Sequence, residues 1–117
     1  MNASLLLEQT RRHIQRNGQQ LTVTRRPATQ GGSATTQSIY FLPQPDREYA
    51  AALSVEGVDN AASSDPYIFV CAGDTDVDAA TDRIAYRSAK YRITRVDPRV
   101  IAGVVVAQHC HAVKTGA

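Results

Sequence analysis

The stretch that decides the fold is DRIAYRSAKYRITRVDPRVIAGVVVAQHCHAVK, residues 82–114. Apolar and polar residues alternate in DRIAYR and again in KYRITRVD, which is the period of a half-buried strand. The break between the two runs predicts a hairpin with its turn near Arg87 to Lys90. We expect a second turn at Pro98, followed by a strand through the core from about Ala102 to Val113, the most apolar run of the chain.

Upstream of this stretch, the chain begins with one helix and continues in short strands. NASLLLEQTRRHIQRNG predicts a helix within residues 1–18, which Asn2 or Ser4 caps and Gly18 ends. Because its apolar face is narrow, this helix either packs lightly on a sheet or meets a partner. QLTVTRR then alternates with β-branched residues, so it predicts the first strand.

Two polar stretches predict long loops. PATQGGSATTQ, residues 27–37, and EGVDNAASSDP, residues 56–66, have few or no apolar anchors. Between them, SIYFLPQ and EYAAALSV predict weaker strands or an extended segment broken by Pro43 and Pro45. YIFVCAG predicts a short apolar strand. One helix followed by about six strands predicts a mainly β fold, a small barrel or sandwich.

Length and composition indicate one ordinary globular domain. The expected division of residues 1–117 is a helix at 1–18, a β-barrel at 19–113 and a tail at 114–117. Hydrophobic residues make up 43% and charged residues 21%, which excludes disordered and fibrous classes. No apolar run approaches the length of a membrane span, and no signal-peptide pattern opens the chain, so we expect no membrane partner.

The charges are arranged in blocks, although a net charge of +2 is too small to indicate a generic nucleic-acid binder. Residues 1–26 hold five arginines and one acid, an acidic belt extends from Asp59 to Asp82, and residues 83–99 are again basic. Such blocks suit a protein that docks against copies of itself or against charged neighbours. Solvated faces that keep a small domain soluble explain any one block equally well.

His109, Cys110 and His111 look like a metal site at first. In a strand, however, the two histidines point to one face and Cys110 to the other, so the three cannot bind one ion. A zinc site on the histidines would need ligands from Cys71, His13 or the aspartates. We therefore expect two partly exposed strand histidines without metal. Two cysteines without an export signal indicate reduced, buried thiols.

Further chemical motifs are incomplete. GDTDVDAATD has the Asp-x-Asp-x-Asp spacing of a calcium loop, but Ala79 replaces the turn glycine and Ala85 replaces the bidentate glutamate. A solvated loop is expected there. The chain contains no nucleophile elbow and no glycine-rich phosphate loop, so we expect neither an enzyme nor a cofactor.

Four aromatic residues lie among arginines in the predicted strands. Tyr67, Phe69, Tyr86 and Tyr91 with neighbouring arginines form the mixture that a barrel binding single-stranded nucleic acid uses. Because aromatic residues make up only 6% of the chain, core packing is the simpler interpretation.

The order of these motifs resembles the head-closure or stopper proteins of tailed bacteriophages. In that family a short helix and an RNG step lead into the first strand, and a long polar loop follows. Near the C-terminus come an Asp-containing strand, a tight turn, a Tyr-x-Ile strand, a Pro-containing turn, Gly and a last strand. The matching segments here are Arg16 to Arg25 and Asp82 to Val113, whereas residues 43–66 have no counterpart in the pattern.

The resemblance implies a ring of about six copies in the neck of the virion, assembled in the host cytoplasm. Such a ring joins the portal or adaptor protein to the tail terminator or tail tube. It retains packaged double-stranded DNA, which passes through the channel without sequence-specific contact. The loop at residues 27–37 corresponds to the family's loop for subunit contact or channel closure. Residues expected at subunit or partner contacts are Arg11, Arg12, Arg16, Gly31, Gly32, Asp74, Asp76, Asp78, Arg92, Arg95 and Arg99.

Three alternatives remain open at this point. A tail terminator or minor tail protein would have the same pattern and differ in the neighbour it binds. A single-strand nucleic-acid-binding barrel would stack Tyr86 or Tyr91 on bases. A metal-dependent enzyme built on His109, His111 and Cys71 would require stoichiometric metal.

Overall fold

The computed structural model describes residues 3–27, 31–46 and 66–115, which form one helix and a closed six-stranded barrel. The elements are α1 Ala3–Asn17, β1 Gln19–Arg25, β2 Thr35–Pro45, β3 Tyr67–Ala72, β4 Asp82–Tyr86, β5 Ala89–Ile101 and β6 Val104–Lys114. The prediction of a mainly β barrel of six strands with an N-terminal helix is therefore confirmed.

All strand pairs of the barrel are antiparallel, in the order β1-β2-β3-β6-β5-β4. The barrel closes where β4 pairs with β1, over only three residue pairs from Val23↔Ile84 to Arg25↔Asp82. The β5–β6 ladder is much longer and extends to the pair Ile101↔Val104. The contact between β1 and β4, called here the seam, is therefore the short pairing of the barrel, and the β5–β6 hairpin is the long one.

Prolines do not interrupt the strands, so the predicted break at Pro43 and Pro45 and the predicted turn at Pro98 are wrong. β2 pairs with β1 only as far as Phe41, and β5 pairs with β4 only as far as Arg92. All three prolines therefore lie where their strand has a neighbour on one side only, and an edge strand accommodates the missing N–H.

Both hairpins of the C-terminal half turn over two residues with positive φ. Arg87 and Ser88 have φ of 50° and 62°, and Ala102 and Gly103 have φ of 50° and 78°. Two successive positive φ values give the turn whose twist matches the flanking strands. The predicted turn at 87–90 is thus shorter than expected, since β5 already begins at Ala89.

Two predicted boundaries differ from those of the structure. β2 begins at Thr35, so the last residues of the predicted loop 27–37 belong to a strand, in which they are exposed. Lys114 belongs to β6 rather than to the tail. The predicted strand at residues 48–55 and residues 56–65 of the second predicted loop lie outside the described residues.

Five aromatic rings fill the barrel. The ring of Phe69 lies 5.4 Å from Tyr91, 5.5 Å from Tyr86, 5.8 Å from Tyr67 and 5.9 Å from Phe41, measured between centroids. The rest of this buried core consists of Leu21, Val23, Cys71, Ile84, Ile93, Cys110 and Ala112. The core-packing interpretation of the aromatics is confirmed.

The helix α1 packs on the outside of the barrel through Ile14, which is 2% exposed and contacts Val70 and Ala107. The helix ends at Asn17 and is followed by Gly18, as predicted. A Cβ at Gly18 would lie 2.3 Å from the Phe41 carbonyl oxygen, so glycine permits the close approach of α1 to β2. No helix among the described residues is long and apolar enough to cross a membrane.

Candidate functional site: the outer surface of the barrel

The interior of the barrel holds two thiols, and the hydrogen bond between them lowers the pKa of Cys71. Cys71 and Cys110 are free and completely buried on neighbouring strands, which confirms the prediction of reduced thiols in strands. The hydrogen bond with Cys71, together with burial, raises the pKa of Cys110 and keeps this thiol protonated. Because aromatic and aliphatic side chains fill the remaining space, candidate chemistry among the described residues lies on the outer surface.

An ion pair closes the seam between β1 and β4. Arg25 donates from Nε to Asp82 Oδ1 at 2.8 Å and from Nη2 to Oδ2 at 3.0 Å. Burial alone would raise the pKa of the fully buried Asp82, but Arg25 and the amide of Asp78 hold this pKa below its usual range. The hydrogen bonds to Asp82, and then that to Asp76, raise the pKa of Arg25. Both groups therefore stay charged, and the pair is structural.

The segment of residues 73–81, called here the acidic loop, is bound to its own barrel. Arg11 of α1 donates to Asp74, and Nη1 of Arg25 donates to Asp76 at 2.9 Å. Asp78 accepts the amide of Ala80 at 2.8 Å instead of an ion. The three carboxylates therefore have three different partners: Arg11, Arg25 and the amide of Ala80.

His111 lies between two carboxylates on the outer face of β6. Its Nδ1 is 3.3 Å from Asp46 Oδ2, and its Nε2 is 3.0 Å from Asp97 Oδ2. Arg95 contacts Asp97 at 3.1 Å and lines the same open cavity of about 320 Å³ together with Asp46, Pro66 and His111. The two ring nitrogens point in opposite directions, so one ion cannot bind both carboxylates and the imidazole. Within the described residues, no three His, Cys, Asp or Glu side chains are placed to hold a metal ion.

His109 lies on the same face as His111, with Cys110 facing the core, as the strand alternation predicts. Its Nδ1 is 3.5 Å from Nη2 of Arg99. Burial, and then the charge of Arg99, lower the pKa of His109, so its ring is neutral near pH 7. A neutral ring can accept a hydrogen bond from Arg99.

Three arginines form what we call the basic face. Arg83 on β4 lies directly opposite Arg92 on β5 and opposite Thr24 on β1. Arg26 follows two residues after Thr24 and is therefore the diagonal neighbour of Arg83. Burial, and then the charges of Arg26 and Arg92, lower the pKa of Arg83. The positive charges of Arg26 and Arg92 thus act on Arg83, and the negative charge of Asp82 opposes them.

The end of the β5–β6 hairpin, Val100–Val104, is named here the hairpin tip. β6 pairs with β3 only from Ala107 onward, so the tip extends beyond the barrel. Val100 is 56% exposed and Ile101 is 47% exposed. Val100 and Ile101 are consecutive in β5, so each face of the projecting hairpin exposes one aliphatic side chain to water.

The residues predicted at contacts lie on several faces. On α1, Arg11 pairs with Glu8 and Asp74, and Arg12 contacts Glu8 at 3.4 Å. Arg11 and Asp74, both predicted at subunit or partner contacts, therefore pair within one chain. Arg16 is exposed in the last turn of α1.

The other predicted residues are also exposed but scattered. Gly31 has a φ of 87° in a turn, with no atom within 4 Å of a Cβ placed there, and Gly32 follows it. Arg92 lies on the basic face, Arg95 lies beside His111, and Arg99 lies near the hairpin tip.

Sequence reasoning missed the residues that the strand register combines. It placed Arg83 in a basic block but predicted neither its position opposite Arg92 nor the pairing of Arg25 with Asp82. It also placed a turn at Pro98, where the strand leading to the hairpin tip continues. The alternation of both strands was a usable signal, since it puts Arg83 and Arg92 on the outside of adjacent strands. No family model matches the chain, and no curated protein is significantly similar to it.

Proposed function

We propose that this chain is a structural ring subunit of the tailed-bacteriophage neck, a head-closure or stopper protein. The ring joins the portal or adaptor protein to the tail and retains packaged DNA. The observation that carries the proposal is the exposed apolar hairpin tip on a barrel whose interior is filled. A filled barrel with a projecting apolar hairpin suits assembly better than ligand binding or chemistry.

The hairpin tip supplies the energy of assembly in this proposal. Full burial of an aliphatic side chain stabilises a contact by roughly 1.5–3 kcal/mol. In a closed ring the contact is heterologous, so the hairpin tip of each copy packs against a different surface of the next copy. Val100 and Ile101 would then be buried once per subunit.

Charges of opposite sign support a head-to-tail arrangement. The acidic loop retains exposed carboxylates, since the side chain of Asp74 is 56% exposed and that of Asp76 is 79% exposed. Arg99, beside the hairpin tip, contacts His109 rather than a carboxylate within the described residues. Unlike charges at the margin of an apolar contact favour one docking register. Function in this proposal is steric, with no bond made or broken.

The test is the mass of the purified protein in solution, alone and after mixing with phage connectors that lack a neck ring. We expect a closed ring, or a monomer that becomes one on the connector. The double variant Val100→Ser, Ile101→Ser should bind connectors roughly 100-fold more weakly, because about 3 kcal/mol of apolar burial is lost. Its thermal midpoint should stay near that of the unmodified protein, since both side chains are exposed.

Leu5→Ser is the matched control, because Leu5 is 54% exposed on α1 and remote in sequence from the hairpin. This variant should assemble normally. Assembly of the double variant at full strength would contradict the role of the hairpin tip. Capture by tail tubes instead of connectors would reassign the chain to the tail terminators or minor tail proteins.

The single-strand nucleic-acid-binding alternative gains no support from the described geometry. Tyr86 is 5% exposed and Tyr91 is 2% exposed, both inside the barrel. Rings in a packed core cannot stack on bases unless the barrel opens.

A further inference from the structure

The basic face combines arginines from three strands. Directly opposed residues of neighbouring strands lie about 5 Å apart, and diagonal neighbours lie about 7 Å apart. The row Arg26, Arg83, Arg92 therefore spans roughly 12 Å, over which one strand of duplex DNA carries about three phosphates. The row thus matches the density of charge on a nucleic-acid backbone.

The described outward strand positions around this row carry no carboxylate, and Arg26 donates to the carbonyl of Ala80 in the acidic loop at 3.0 Å. The outward positions around the row on β1, β4, β5 and β6 are Thr22, Thr24, Ala85, Lys90, Thr94 and Val113. Within residues 3–27, 31–46 and 66–115, none of the three arginines makes an ion pair. Arg83 donates only to the carbonyl of Asp82, at 3.2 Å, while the Asp82 carboxylate is buried against Arg25.

The row of arginines is expected to destabilise the isolated barrel. Like charges directly opposite each other weaken strand pairing, and this pair belongs to the strand that closes the barrel. The lowered pKa of Arg83, caused by burial and then by Arg26 and Arg92, is consistent with that repulsion. An external partner with closely spaced negative charges would relieve it.

We infer that the basic face binds the phosphate backbone of double-stranded DNA. The inference rests on the proposed function, in which the ring encloses packaged DNA. Binding is independent of base sequence, because phosphate contacts carry no sequence information. Duplex is preferred over single strands, because its charge density is higher and because the aromatic rings of the barrel are buried.

The acidic loop of a second copy is a weaker partner for the same face. Two of its carboxylates already have partners, since Asp74 binds Arg11 and Asp76 binds Arg25. Asp74 and Asp76 can keep these partners while they face Arg99 of a neighbouring copy, but three arginines of the basic face would have to share them with Arg11 and Arg25.

Binding through three phosphates is also weak enough to permit passage of DNA. The logarithm of affinity should fall with the logarithm of salt with a slope of about −2.7, so affinity drops roughly 40-fold between 50 and 200 mM. DNA is then contacted but not held fast.

The experiment measures binding of the full chain to a fluorescent mixed-sequence duplex by anisotropy, between 50 and 200 mM salt. Arg26→Gln with Arg92→Gln should reduce the slope by about 1.8 and weaken binding at 50 mM on the order of 100-fold. Both side chains are exposed, so the variant should fold. Arg16→Gln, which removes an exposed arginine from α1, is the control and should leave the slope unchanged.

Three results would overturn the inference: no duplex binding at 50 mM salt, equal weakening by Arg16→Gln, or stronger binding to single strands. Loss of connector capture by the basic-face variant, with no DNA binding by the unmodified chain, would assign the face to a protein partner instead. The assay needs no connectors. Duplex binding with the expected slope by a chain that ignores connectors would therefore uphold the basic face and reject the neck ring.

Discussion

Replacing Asp82 with asparagine is expected to lower the free energy of unfolding by about 3 kcal/mol at pH 7, measured by urea unfolding. The variant leaves the guanidinium of Arg25 without its buried carboxylate at the seam where the barrel closes. That seam consists of three residue pairs, so little else holds β1 against β4. Asp76→Asn is the control, because its side chain is 79% exposed and its pair with Arg25 should contribute less than about 1 kcal/mol.

The effect of Asp82 should depend on pH. Its pKa is lower in the folded state than the value of about 3.9 in an unfolded chain. The stabilisation from its charged form is therefore complete above that unfolded value and disappears as the pH falls through the folded pKa. The difference in stability between the unmodified protein and Asp82→Asn should shrink in acid. A difference that stays constant between pH 7 and pH 2 would contradict an ionised Asp82.

Replacing Phe69 with alanine should have the largest effect, a loss of about 4 kcal/mol in the free energy of unfolding. Phe69 is completely buried, and its ring contacts Phe41, Tyr67, Tyr86 and Tyr91. Alanine removes those contacts and leaves a cavity that four large rings cannot collapse to fill. Urea unfolding followed by circular dichroism measures the loss.

Phe69→Leu keeps most of the volume and should lose only about 1.5 kcal/mol, so it remains measurable if the alanine variant does not fold. Tyr40→Ala removes an aromatic ring from the outer side of β2, where Tyr40 is 40% exposed. It should lose less than about 1 kcal/mol. Equal losses for Phe69→Ala and Tyr40→Ala would mean that the aromatic cluster is not the core.

Strand content could be predicted because alternation is a local property. The runs around Leu21, Ile84 and Tyr91 each bury alternate residues, as their patterns indicate. The effect of the prolines was predicted wrongly because it depends on strand pairing, which is not a local property. Whether Pro43 or Pro98 breaks a strand depends on whether a neighbour needs its missing N–H, and only strand pairing decides that.

The candidate surfaces were predictable only in part. Their charged blocks are visible in the chain, but the partners are not, since Arg11 and Asp74 neutralise each other across 63 positions. The hairpin tip was not predicted, because its turn residues are Ala102 and Gly103 and not the Asn-Gly or Gly-Gly pair that is typical of such a turn. Ala102 adopts the positive φ that the turn requires.

The sequence by itself determined one helix, six strands, buried thiols and aromatics, and the facing of His109 and His111, because each depends on local period and hydrophobicity. The tertiary structure alone decided the basic face and the Arg25–Asp82 seam. Arg26 and Arg83 are far apart in the chain, and only the register of β4 against β1 makes them neighbours. A net charge of +2 averages over the whole surface, whereas binding depends on which charges the barrel brings together.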